Sequence, residues 1–82
     1  MILVDIYAAS VDKNYDFDLD ETVEVGVIID EIVEMIGQNE KTTISGNVQS
    51  LALCDMERRT MLPKNASLAQ CGIKNGMSLL LV

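Results

Sequence analysis

Apolar and polar positions alternate along residues 2–8. Ile2, Val4, Ile6 and Ala8 fall on one side of an extended chain, and Leu3, Asp5 and Tyr7 on the other. A period of two predicts a strand, and Asp5 marks its wet face, so the first set is assigned to the core. Ser10 to Asn14 carry turn residues. Alternation resumes over 15–20, where Tyr15, Phe17 and Leu19 are set against Asp16, Asp18 and Asp20. This predicts a second strand and a hairpin.

The period then changes. Val25, Ile28, Ile29, Ile32, Val33 and Ile36 recur at the spacing of one helical face, and Glu24, Asp30, Glu31 and Glu34 fall largely on the other. The pattern predicts a helix over 22–37. Thr22 would be its N-cap, Glu24 would sit in the positive first turn, and Gly37 would be the left-handed residue that ends it. Gly26 and the many β-branched residues weaken intrinsic helicity, so burial of the apolar stripe must supply most of the stability.

After the helix, GQNEKTTISGN (37–47) is polar and aperiodic and reads as a loop. Residues 48–54 read as a third strand, 55–58 as a turn, and 59–62 as a short fourth strand with Pro63 at its end. SLAQCG (67–72) reads as a single helical turn or 3₁₀ piece ending at Gly72, Lys74-Asn75-Gly76 as a tight turn, and 77–82 as the last strand. The expected order is ββαββ-short helix-β. Residues 1–82 then form a single α+β domain with a mixed sheet of about five strands and one helix on one face. The first and last strands are the most apolar and are expected side by side at the centre.

With 82 residues, 49% of them apolar and one proline, the chain falls among folded domains. The net charge of −7 argues against nucleic acid, which requires a basic face, and against docking on an anionic membrane by charge alone. No apolar run approaches the roughly 20 residues that span a bilayer, so no membrane insertion is expected. The start, MILVDIYAAS, lacks a basic region and is interrupted by Asp5, so a signal peptide is not expected. The cysteines, Cys54 and Cys71, have no metal-ligand spacing and fit free thiols in a reducing cytosol.

Little catalytic chemistry is available. There is no histidine, and there is no phosphate-binding or dinucleotide-binding glycine motif. No catalytic residue, cofactor or metal is expected. The acidic run Asp16, Asp18, Asp20, Glu21 fails as a calcium loop: a register from Asp16 puts Glu21 where glycine is needed and Val27 where glutamate is needed, and one from Asp12 puts Phe17 at the glycine. These carboxylates read as the wet face of the second strand, where like charges discourage edge pairing.

What remains is surface. Ser78 marks the outward side of the last strand, and Leu80 and Val82 share it; Leu3 and Tyr7 share the outward side of the first. If these strands are neighbours, the four form an apolar patch on the open sheet face, which Ala52 and Cys54 extend from the third strand. The alternative is that the helix or the long loop covers them, or that they are scattered surface residues. Arg58 and Arg59 are a second candidate partner site.

The closing run SLAQCGIKNGMSLLLV resembles the end of ubiquitin. Three features bring the resemblance closer to the YukD/EsaB-like proteins of bacterial type VII secretion systems: DFDL leading into VGVIIDEIV, the run Leu68, Cys71, Gly72, Ile73, Gly76 with Asn75, and a chain that is nearly all domain. The resemblance implies a ubiquitin-like β-grasp fold and a cytosolic accessory or regulatory component, with protein partners among the cytosolic parts of the membrane machinery. It implies a cytoplasmic location with recruitment to the inner face of the membrane. Ubiquitin-type modifiers need a flexible diglycine tail, whereas this sequence ends Leu79-Leu80-Leu81-Val82 and has no Gly-Gly upstream. The expectation is a ubiquitin-like fold that is not conjugated. The alternatives are a modifier or sulfur carrier, or a β-grasp scaffold domain of another pathway. The pattern assigns no oligomeric state.

Overall fold

A computed structural model of the chain describes residues 1–40 and 50–82. The two alternating stretches form β1 (Ile2–Ala8) and β2 (Lys13–Leu19), paired antiparallel with Val4 opposite Phe17 and Ile6 opposite Tyr15. β2 begins at Lys13 rather than Tyr15 because residues 9–12 complete the reversal. Asp12 takes φ 52°, a left-handed conformation that aspartate tolerates, and Lys13 already pairs with Ala8.

The helix, α1 (Val25–Glu40), is displaced at both ends from the expected 22–37. Thr22 does not cap it. Its hydroxyl donates to Asp20 Oδ1 at 2.6 Å and its N–H to the same oxygen at 2.9 Å, fixing a turn ahead of the helix. Both bonds favour the ionised form and hold the Asp20 carboxyl below its ordinary pKa, the hydroxyl contributing most. Backbone carbonyls satisfy the first amides instead: Val25 N–H donates to Ala66 O at 2.8 Å and Gly26 N–H to Lys64 O at 3.0 Å. Gly26 permits this approach, since a Cβ there would lie 3.3 Å from the Lys64 oxygen. Glu24 stands just before the helix, not in its first turn. At the far end the helix runs through Gly37. An internal glycine costs about 1 kcal/mol, which burial of the stripe up to Ile36 outweighs. Residues 41–49, with most of the expected loop and the start of the expected third strand, lie outside the described residues.

The remaining strands are β3 (Leu53–Asp55), β4 (Thr60–Met61) and β5 (Ser78–Leu81). Arg59 belongs to the turn rather than to β4, with φ 57°. The 67–72 turn is held by a reciprocal capping pair, Ser67 N–H to Gln70 Oε1 at 2.9 Å and Gln70 N–H to Ser67 Oγ at 3.1 Å. It ends at Gly72 (φ 75°), after which Ile73 N–H returns to Leu68 O at 3.0 Å.

The five strands lie in the order β2-β1-β5-β3-β4. β1 and β5 are parallel neighbours in the interior, with Ile6 opposite Leu79 and Ala8 opposite Leu81, and the other pairings are antiparallel. On the inner face Val4, Ile6, Phe17, Leu53, Leu79 and Leu81 bury with the α1 stripe in one core cluster. The fold is ubiquitin-like: a five-stranded mixed sheet with one long helix.

One buried charge serves the β3–β4 turn. Asp55 is fully buried, and its Oδ1 accepts from the N–H groups of Glu57 at 2.9 Å and Arg58 at 3.3 Å. Its Oδ2 accepts no hydrogen bond among the described residues and faces Arg58 Nε at 3.6 Å. Arg58 Nη1 donates to Cys71 O at 3.1 Å, with the guanidinium against Gly72. Arg58 thus straps the β3–β4 turn to the 67–72 turn.

Two stability measurements check this account. In urea unfolding, Ile32→Ala should cost about 2–5 kcal/mol, whereas Val27→Ala on the outer side of the same helix should stay within about 0.5 kcal/mol. Comparable losses at the two sites would contradict the assigned helix face. Asp55→Ala should cost about 1–3 kcal/mol by stranding two turn amides, and Asp55→Asn less, because an amide oxygen still accepts from both. Equal losses would instead assign the effect to the Arg58 pair.

Candidate interaction face

Packing dictates the inner face of the sheet; the outer face is open in the described residues. Its residues follow from register. Tyr7 of β1 lies opposite Leu80 of β5, Leu80 opposite Cys54 of β3, and Cys54 opposite Met61 of β4. Four strands therefore contribute one transverse apolar row. Tyr7, Leu80 and Cys54 are half-buried, and Met61 is 68% exposed. Val82 and Ala52 make the next row, joined by Ala52 N–H to Val82 O at 2.7 Å and Val82 N–H to Ala52 O at 3.0 Å. Val82 is 46% exposed, while Ala52 is only 7% exposed and offers little side-chain surface.

The structure thus brings together five of the residues the alternation assigned to a patch. Leu3 is apart. It is exposed, but the Asp5–Ser78 pair lies between it and the row, and its outer neighbour on β2 is Asp18. Its backbone is clasped by the Asn75-Gly76 turn: Leu3 N–H donates to Asn75 Oδ1 at 2.9 Å and Gly76 N–H to Leu3 O at 2.7 Å. Arg58 is engaged in its strap, and Arg59 is exposed at the turn. Met61 escaped the sequence reading because a two-residue strand has no alternation to assign a face; only pairing with Cys54 places it.

The β1–β2 side of the same face is acidic. Asp5 lies directly opposite Asp16, and Asp18 follows on β2. Asn14 Nδ2 donates to both oxygens of Asp5, at 3.3 and 3.4 Å. The Tyr7 hydroxyl donates to Asp12 Oδ1, which raises the Tyr7 pKa above its ordinary value; desolvation and the Asp12 charge act in the same sense. Among the described residues no cluster of three or more His, Cys, Asp or Glu is arranged to hold a metal, and no helix is long and apolar enough to cross a membrane. Cys54 and Cys71 are free.

Solved structures with this architecture include the ubiquitin-like domain of EccD5 from Mycobacterium xenopi. It is 24% identical, with a TM-score of 0.75 over 99% of this chain and 91% of that one. A chain of the MycP5-free ESX-5 inner membrane complex is 17% identical, with a TM-score of 0.77 over 99% of this chain and 20% of that one. Ubiquitin of Caldiarchaeum subterraneum is 15% identical, with a TM-score of 0.72 over 98% of this chain and 89% of that one. At such identities the likeness is one of fold. No curated protein matches. Family membership rests on sequence: residues 2–81 match the family described as WXG100 protein secretion system (Wss), protein YukD. That match runs from the first residue of β1 to the last of β5, and the chain belongs to the YukD family.

Proposed function

We propose that this protein is a non-catalytic interaction module of a bacterial type VII secretion system, acting as a cytosolic accessory or regulatory component that docks on the membrane machinery. The family match carries this reading. Two observations support it. An EccD5 domain and part of an ESX-5 inner membrane complex share the fold, so a domain of this shape has a place in such machinery. Among the described residues the apolar row from Tyr7 to Met61 is uncovered on the sheet face, where a partner can cover it. Chemistry is a poorer reading, since the sequence has no histidine to act as base or ligand.

In this reading the sheet face docks, and α1 backs the sheet as a rigid support. The partners are cytosolic parts of secretion-system membrane components, and docking on them brings the protein to the inner face of the membrane. Leu80 is the central anchor, with neighbours on both sides in the row. A tagged protein expressed in its own bacterium and cross-linked before lysis should recover a membrane component of the secretion system. Leu80→Asp should cut that recovery about tenfold or more, as loss of a central anchor does, while circular dichroism shows the fold intact. Recovery of no secretion component would sink the proposal. Isopeptide-linked or thiocarboxylate forms detected by mass spectrometry would favour a modifier or sulfur carrier instead.

A further inference from the structure

The outer sheet face is divided by charge. The row Tyr7–Leu80–Cys54–Met61 is apolar, and beside it on β1 and β2 lie Asp5 and Asp16, with Asp18 one outward position further. The outward positions of β1, β2 and β5 hold no lysine or arginine. Asp16 and Asp18 are exposed. Asp5 and Asp16 face each other across the strands, an arrangement that destabilises a sheet. The Asn14 amide relieves Asp5 alone. Among the described outward positions of these strands the fold therefore keeps an anionic patch next to its half-exposed apolar row.

Geometry narrows what could cover both. β1, β5 and β3 are interior strands, so their backbone groups are already paired within the sheet. An extended partner laid on this face would leave its own N–H and C=O groups unpaired against apolar side chains, which is costly. A helix arrives with those groups satisfied. From Tyr7 to Met61 the row crosses three strand intervals, about 14 Å, the length of about nine helical residues. One row along the strands, about 7 Å away, lie Asp5 and Asp16, beneath the flank of such a helix.

Resting on the docking role proposed above, we infer that the sheet face binds an amphipathic helix of another protein, its apolar ridge seated on Tyr7, Leu80, Cys54 and Met61 and one flank carrying lysine or arginine over Asp5 and Asp16. The apolar ridge supplies contact area, and the basic flank sets orientation and excludes acidic helices by repulsion.

The test uses two synthetic helical peptides of about 18 residues, long enough to hold a helix. Both carry the same leucine ridge; one has lysines along its flank and the other glutamates. Each is titrated into the isotope-labelled full chain and followed by amide NMR shifts. The lysine peptide should shift Tyr7, Asp16, Cys54, Met61 and Leu80. Its binding should weaken steeply as ionic strength rises from about 0.01 to about 1 M, which shortens the screening length from about 30 to about 3 Å. Asp16→Asn should weaken it about twofold to fivefold, the worth of one surface ion pair. Thermal unfolding of that variant should be unchanged or raised, because the substitution removes repulsion, so a misfolded variant cannot account for the loss. Equal binding of the two peptides would overturn the basic-flank assignment while leaving apolar docking on this face intact. Shifts confined to α1, or no shifts with either peptide, would overturn the helix-binding inference. In either case the recovery experiment above still judges the secretion role separately.

Discussion

The parallel pairing of β1 with β5 is the constraint on which the other elements depend. It joins the two ends of the described chain, Ile6 to Leu79 and Ala8 to Leu81, so nothing local can form it. Loop-closure entropy opposes a contact between such distant segments until other contacts reward it. The pairing is reinforced at each end of its register: Asp5 N–H donates to Met77 O at 3.0 Å, and Ala9 N–H to Leu81 O at 3.1 Å. Beyond Met77, the Asn75-Gly76 turn adds its clasp on Leu3, with Gly76 at φ 88°, a backbone that L side chains rarely adopt. β2 can then add to one side of this pair by a short hairpin, and β3 and β4 to the other.

The helix depends on that sheet twice. Its stripe needs the inner face, since Gly26 and a β-branched sequence would not hold a helix in water. Its first turn needs the 64–67 segment, whose carbonyls take the amides of Val25 and Gly26 and whose Ser67 bridges Glu24. The same stretch leads into the capped 67–72 turn, which Arg58 ties to the β3–β4 turn. A glycine in the helix, a serine–glutamine pair in the following turn and an arginine beside a buried aspartate are thus one connected device. It holds the helix start to the β3–β4 turn.

Much of the fold could be read from periodicity, because core burial imposes it. The two-residue alternation of β1 and the helical spacing from Val25 to Ile36 matched the buried faces, and the apolar first and last strands are neighbours as expected. The errors share a cause. Thr22 and Gly37 have favourable local chemistry for helix ends, yet Asp20 takes the Thr22 hydroxyl, backbone from a distant loop takes the first amides, and burial of the stripe carries the helix through Gly37. Asp55, read as the first residue of a turn, is a fully buried strand residue whose carboxylate binds two turn amides. The outer face was legible where alternation ran long enough, at Tyr7 and Leu80. It was not legible at Met61, nor at Leu3, whose separation from the row depends on cross-strand register that one strand's sequence does not carry.

The outer face also differs in kind from the inner one. Inner residues answer to packing, so an apolar residue there is explained by the core. Outer residues carry no such obligation, and a solvated sheet face is satisfied by polar side chains throughout. Asp5, Asp16, Asp18 and Ser78 show that this sheet accepts polar residues outward. Against that background, apolar residues from β1, β5, β3 and β4 in a single row are not required by the fold. Nor is a facing pair of aspartates, which any neutral pair would improve. Edge protection accounts for charge on β2, an edge strand, but not for Asp5 opposite it on the interior strand β1. The apolar row and Asp5 side by side are the local inconsistency that the proposed docking role would explain.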